Sequence, residues 1–228
     1  MAAEIMTYFS APRMATYAQC CDGDEDRALL LYRANAHLSS VGHMSVHYFE
    51  VILRNALDHQ LRSWNRETHG REEWTLDPAP VLAAVVTEDR LRAARAHAGR
   101  AVRGRRPIQH DDVVAQLSFG AWRSLLPSLR HRWKQRLWDE ALQYSFTNRQ
   151  NVRADQISAA VAIVYDFRNR IAHHEPVFRL DLRGKRRAMR DVLHSIHPAA
   201  RRWFVEHEPF SAALDDFYAA WPEFRRTN

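Results

Sequence analysis

The stretch YDFRNRIAHHEP, residues 165–176, sets two arginines, an asparagine, two histidines and a glutamate at the end of a segment that otherwise reads as an apolar helix. The helix starts near Arg153 and cannot run past Pro176, whose ring would collide with the carbonyl four residues back. On such a helix Asn169 and His173 lie one turn apart on one face. Arg168 and His173 are five residues apart, about 140° around the axis. They can meet if Pro176 distorts the last turn, or if a symmetry-related copy of the same helix brings the partner group. His173 also falls where unsatisfied carbonyls favour an imidazolium, and histidine titrates near neutral pH, which suits proton transfer. The plainer alternative is a solvated face formed by Arg168 and Arg170, with His173, His174 and Glu175 capping the helix.

Outward from this stretch the composition speaks for helices. Only 7 Gly and 9 Pro occur in 228 residues, Ala, Leu and Arg are abundant, and alternating β-branched runs are few. The expected class is all-α. The length allows a sizeable core, and no internal repeat or flexible linker divides the pattern, so one helical domain over 1–228 is expected. The net charge of +6 comes almost wholly from arginine, which suits bidentate contact with phosphate. Cys20 and Cys21 are adjacent and form neither a long-range staple nor a Cys-x-x-Cys pair. The start MAAEIMTYFSAPRM lacks a basic-then-apolar leader, and no segment reaches the roughly 20 apolar residues of a membrane span. A cytoplasmic protein without a membrane partner is expected.

The pattern predicts a short first helix capped by Ser10, with Pro12 in its first turn and a break at Asp22 and Gly23. A long helix follows from Asp24 to about Trp64, with room for a kink at 38–42. Further helices are expected over 81–101, from Asp111 through VVAQLSFGAWRSLL to Pro127, over 130–144, and from Arg153 to the opening stretch. Three more are expected over 185–194, 198–206 and 211–220.

The segment RNRIAHHEP resembles the Arg-polar-x-x-x-His signature of the HEPN superfamily, and more narrowly that of the Abi-like (abortive infection) proteins. Two other segments carry the resemblance in the same order: HLSSVGHMSVHYFEVILRNALDHQL at 37–61, similar to the family's Glu-Val-x-Leu-Arg-Asn helix, and VVAQLSFGAWRSLL at 113–126, similar to its Ser-Phe-Gly-x-Trp element. The likeness covers 24–203, leaving 1–23 and 204–228 as helical extensions. It implies a helical bundle whose motif helices pack across a two-fold axis, so that two copies of Arg168 and His173 share a cleft. It further implies a metal-independent endoribonuclease without cofactors, acting in phage defence or as a toxin-like growth inhibitor. His173 then acts on the ribose 2′-hydroxyl or the leaving oxygen, Arg168 stabilises charge at phosphorus, and Asn169 orients groups. His174 and Glu175 support them, and which histidine faces the cleft stays open. The implied partners are RNA, tRNA included, a second copy of the chain, and an antitoxin or activator. The alternative is a non-catalytic RNA-binding or protein-interaction module of the same fold.

His43, His47, Glu50, Arg54 and Asp58 fall along one helical stripe. The first three sketch a metal site but lack a His-Glu-x-x-His motif and a fourth ligand, so no metal is expected. The resemblance gives Glu50, Arg54 and Asn55 a role in holding the motif helix, while an ordinary Glu50–Arg54 helix pair is the plain alternative. Residues 90–107, RLRAARAHAGRAVRGRRP, hold seven arginines and no acid. Arg100, Arg103, Arg105 and Arg106 are its candidates for tracking an RNA backbone. Phe119, Trp122, Trp133 and Trp138 could stack bases, but their spacing favours the core. No Gly-rich phosphate loop or Gly-x-Ser-x-Gly elbow is present.

Overall fold

Helical spacing governs the whole chain: in the computed structural model, which describes residues 2–128, 130–150 and 152–225, every regular element is helical. Twelve α-helices occur in the order α1 (Ala2–Tyr8), α2 (Ala11–Cys20), α3 (Glu25–His69), α4 (Pro80–Val86), α5 (Glu88–Val102), α6 (His110–Val114), α7 (Phe119–Leu125), α8 (Arg132–Glu140), α9 (Ala154–Ala172), α10 (Leu182–Ile196), α11 (Pro198–His207) and α12 (Phe210–Ala220). Short 3-10 turns cover Leu142–Ser145 and Pro222–Phe224. No described helix is long and apolar enough to cross a membrane.

The 45-residue α3 is built on one buried seam. Ala28, Leu31, Asn35, Leu38, Gly42, Ser45 and Phe49 recur at alternating spacings of three and four and are all buried. Leu53, Leu57, Leu61 and Asn65 continue the seam at steps of four. The helix is unbroken through Gly42, where the sequence allowed a kink; the glycine serves a close approach instead, described below.

Three expected elements differ. Ser10, at φ 66°, makes no side-chain cap to α2, although Pro12 does sit in the first turn. The expected helix over 81–101 is two helices, because Thr87 takes φ 71° and ψ 138° and ends α4. Glu88 and Asp89 then open α5, where carboxylates complement the positive end of the helix dipole. The stretch after Asp111 is likewise divided: α6 stops at Val114, and the Ser118 hydroxyl accepts the Ala121 N–H to start α7.

Residue contacts sort the chain into two compact units. The first comprises residues 1–47, 166–187 and 206–228, the second 48–165 and 188–205. In the first, Tyr17 packs on Phe178 at 5.5 Å between ring centroids, and Phe167 on Phe210 at 5.5 Å. Its buried carboxylate, Glu208, accepts from Arg186 Nε at 2.6 Å and from the backbone N–H groups of Phe210 and Ser211 at 2.7 and 3.2 Å, so it starts α12 while neutralising an arginine.

In the second unit Phe49, Leu57, Trp74, Leu82, Phe119, Trp122 and Trp138 form much of the core. Trp133 is half-buried with Arg132 over its ring. Asn65 replaces secondary structure as the organiser of residues 71–79: its Nδ2 donates to the Arg71 and Asp77 carbonyls at 2.7 and 3.0 Å, and its Oδ1 accepts the Ala79 N–H at 2.7 Å.

Gly42 makes the packing of α3 on the last turns of α9 testable. A Cβ there would stand 2.9 Å from Phe167 Cζ and 3.4 Å from Ile171 Cδ1, and Phe167 is fully buried. Gly42→Ala in an open helix would stabilise by about 1 kcal/mol; here a net loss of about 1–2 kcal/mol is expected from overpacking. Urea unfolding midpoints check the sign.

Candidate functional site

The motif residues occupy the last turns of α9 and the turn that closes it. Phe167 and Ile171 are buried on one face, Asp166 and Arg170 are exposed on the other, and Arg168 and Asn169 are half-buried at the margin. The closure is a Schellman motif: the His174 N–H bonds the Ile171 carbonyl at 3.0 Å and the Glu175 N–H bonds the Arg170 carbonyl at 2.9 Å. His174 carries the left-handed conformation this requires, at φ 55°. Pro176 follows, where it blocks any continuation of the helix.

Partners from distant sequence fix this turn. Asn35, buried on α3, accepts the Val177 and Phe178 N–H groups at 2.7 and 3.2 Å. Arg13 Nη1 donates to the His174 carbonyl at 2.8 Å, and Arg170 pairs with Glu175 at 3.0 Å. A left-handed histidine held from both sides is a strained position maintained by its surroundings.

The two arginines of the motif differ in what neutralises them. Arg170 is paired with Glu175, whereas Arg168 has no carboxylate partner among the described residues. The Arg168 Nη1 lies 3.5 Å from Asn169 Oδ1, the outer limit of a hydrogen bond. His173 and His174 are both exposed, and they part company. His174 lines a cavity of about 420 Å³ with Tyr32, Ser39, Ser40 and His43, and His173 does not. Within one chain no hydrogen bond joins Arg168 to His173 among the described residues.

The α3 stripe does not stay together as a set. Glu50 and Arg54 are half-buried and Asn55 exposed, with Arg54 Nε 3.4 Å from Asn55 Oδ1; these three belong to the second unit. Asp58 turns into that unit's core, where its Oδ1 accepts from Trp74 Nε1 at 2.7 Å and from His110 Nε2 at 2.9 Å. His110 Nδ1 is left to accept the Thr75 hydroxyl at 2.9 Å. This Asp–His–Thr chain has the connectivity of a proton relay. Thr75, His110 and Asp58 are only 0%, 4% and 8% exposed, so it fastens the core. Sequence reasoning missed it because residues 58, 75 and 110 share no local pattern. Among the described residues no three of His, Cys, Asp or Glu converge as a metal-ligand set.

The arginine run is mostly absorbed locally. Arg92 pairs with Asp89 at 2.8 Å, Arg95 with Glu88 at 2.9 Å, and Arg90 donates to Ser124 Oγ at 2.8 Å. Arg106 grips Asp112 with two bonds of 2.6 and 2.7 Å, and this guanidinium, followed by the Gln109 N–H, pulls the Asp112 carboxyl down to about 2. Its charge is thereby matched by a carboxylate. Arg100, Arg103 and Arg105 remain exposed with no carboxylate partner among the described residues.

No protein-family model, no curated protein and no solved structure matches this chain.

The left-handed turn at His174 has a direct consequence for stability. Gly at that position removes a Cβ penalty of order 1–2 kcal/mol, so His174→Gly should stabilise by about 0.5–1 kcal/mol. His174→Val, β-branched at positive φ, should destabilise by at least about 1 kcal/mol. Equal urea midpoints for the two variants would contradict the turn geometry.

Proposed function

We propose that the chain is a metal-independent endoribonuclease of HEPN type, working as a homodimer in phage defence or toxin-like growth inhibition. The observation that carries this reading is Arg168: half-buried at the end of α9, beside an arginine that is neutralised by Glu175, it alone of the pair keeps its guanidinium free of a carboxylate among the described residues. A guanidinium reserved in this way suits an anion, and its planar fork suits phosphate oxygens.

In the proposed reaction the ribose 2′-hydroxyl attacks the adjacent phosphorus and the bond to the 5′ oxygen breaks. A neutral His173 accepts the 2′ proton, and a protonated copy of His173 delivers one to the leaving oxygen; two copies in one cleft supply both roles. Arg168 stabilises the charge that builds on the non-bridging oxygens, and Asn169 orients it. The products carry a 2′,3′-cyclic phosphate and a 5′-hydroxyl, and DNA, lacking the attacking group, is spared. That no hydrogen bond joins Arg168 to His173 within one chain among the described residues supports a site completed by a second copy. Arg100, Arg103 and Arg105 supply a docking surface for the RNA backbone.

The second reading is a binding module of the same fold, which the exposed arginines alone would serve. Arg168→Ala and His173→Ala separate the two. Each should lower RNA cleavage by at least about 100-fold, as loss of a general acid–base or an electrostatic stabiliser does, with circular dichroism and Tm unchanged. Salt-sensitive RNA binding without cleavage by wild type would favour the module, and full cleavage by both variants would rule the enzyme reading out.

A further inference from the structure

The second unit contains a cavity of about 630 Å³ lined by that unit alone, with three cations, Arg90, Arg123 and Lys134, and no aspartate or glutamate. The cations come from three helices, α5, α7 and α8. Arg90 reaches in under the restraint of its 2.8 Å bond to Ser124 Oγ, whose own hydrogen goes to the Ala121 carbonyl at 2.7 Å. The Arg123 guanidinium lies 4.8 Å from the centre of the Tyr165 ring, which orients it without neutralising it. Lys134 is half-buried and its ammonium has no hydrogen-bond or carboxylate partner among the described residues.

Gathering like charges around one concave wall is unfavourable unless something anionic joins them. The strain is visible at Lys134: burial first, then Arg90 and Arg123, holds its ammonium below the usual lysine range. Ordinary surface arginines relieve such repulsion by turning to solvent or to a carboxylate, as Arg92 and Arg95 do on the same helix α5. These three have no carboxylate partner among the described residues; Arg90 and Arg123 stay exposed at the cavity and Lys134 is half-buried. The wall also offers the Ser128 hydroxyl, which has no side-chain hydrogen-bond partner among the described residues. Gly120, in the same wall, allows a close approach of Tyr165: a Cβ there would stand 3.2 Å from Tyr165 Oη.

Three donors of this kind match the charge and the many acceptor oxygens of linked phosphates, and the volume exceeds that of one phosphate and suits a nucleotide-sized ligand. We propose that this cavity binds a phosphate-bearing ligand of nucleotide size, its phosphates held by Arg90, Arg123 and Lys134. The site uses none of the residues assigned to cleavage, so the two proposals stand or fall separately.

Calorimetric titration of the full chain at low salt with tripolyphosphate, ATP and a 5′-hydroxyl single-stranded RNA tests it. Tripolyphosphate and ATP should bind wild type and raise its Tm. Arg90→Gln and Lys134→Gln should each weaken binding by at least about tenfold, and Lys134→Arg should stay within about threefold of wild type, because the charge is kept. The ligand-free Tm of Lys134→Gln should equal or exceed that of wild type, since one of three repelling charges is gone. ATP tighter than tripolyphosphate identifies a nucleotide, equal affinity identifies the phosphate chain alone, and RNA binding alone, weakened by the same variants, identifies backbone phosphates. No binding of any probe at about 10 mM, weaker than almost any dedicated phosphate site, or binding indifferent to all three substitutions, would overturn the proposal.

Discussion

The bare Cα of Gly42 lets the Phe167 ring and the Ile171 side chain press against the α3 backbone, and the geometry of the motif depends on that approach. Phe167 is the buried anchor immediately before Arg168, so the depth at which it seats sets the height at which the arginine emerges. With the ring held on one side of α9, the helix presents Arg168 and Asn169 at the margin and Arg170 to solvent. A larger residue at position 42 would shift all of them together. Backbone proximity at one glycine thus becomes side-chain position one residue beyond the ring.

Buried polar groups then hold what helical packing leaves loose. Asn35 binds the two N–H groups beyond Pro176, Asn65 binds three backbone groups of residues 71–79, and Glu208 starts α12 while holding Arg186. Each lies on or beside a helix and satisfies backbone that has no ladder of its own, as burial requires. The Schellman turn at residues 172–175 is bracketed in the same way by Asn35 and Arg13, which explains how a histidine rather than a glycine can keep a positive φ there. Charge is handled with equal economy: Arg92, Arg95, Arg106, Arg170 and Arg186 are matched to carboxylates, while Arg168, the exposed Arg100, Arg103 and Arg105, and the Arg90–Arg123–Lys134 cluster have no carboxylate partner among the described residues.

What could be read in advance was local. The all-α class, the long α3 and the end of α9 before Pro176 follow from spacing and from the proline. The breaks at Thr87 and between Val114 and Ser118 did not, because apolar periodicity carries on through both and the interruption lies in backbone angles and one hydroxyl cap. Spacing placed Asp58 on a polar stripe with His43 and Glu50; its true partners, Trp74 and His110, are 16 and 52 residues away and no helical wheel contains them. The motif residues were found as a cluster, yet the pairing of Arg170 with Glu175, which singles out Arg168, is a matter of rotamers at a helix end. The cationic cavity was invisible for the same reason as the Asp58 network: its residues come from positions 90, 123, 134 and 165 and meet only in three dimensions.

The central claim, that the end of α9 cleaves RNA by attack of the 2′-hydroxyl, is tested most directly by the ends of the fragments. Purified protein incubated with total RNA and with tRNA in excess chelator should yield fragments bearing 2′,3′-cyclic phosphates and 5′-hydroxyls, as internal transesterification requires. Fragments ending in 3′-hydroxyls and 5′-phosphates, or RNA left whole by the folded protein across substrates and pH, would contradict it.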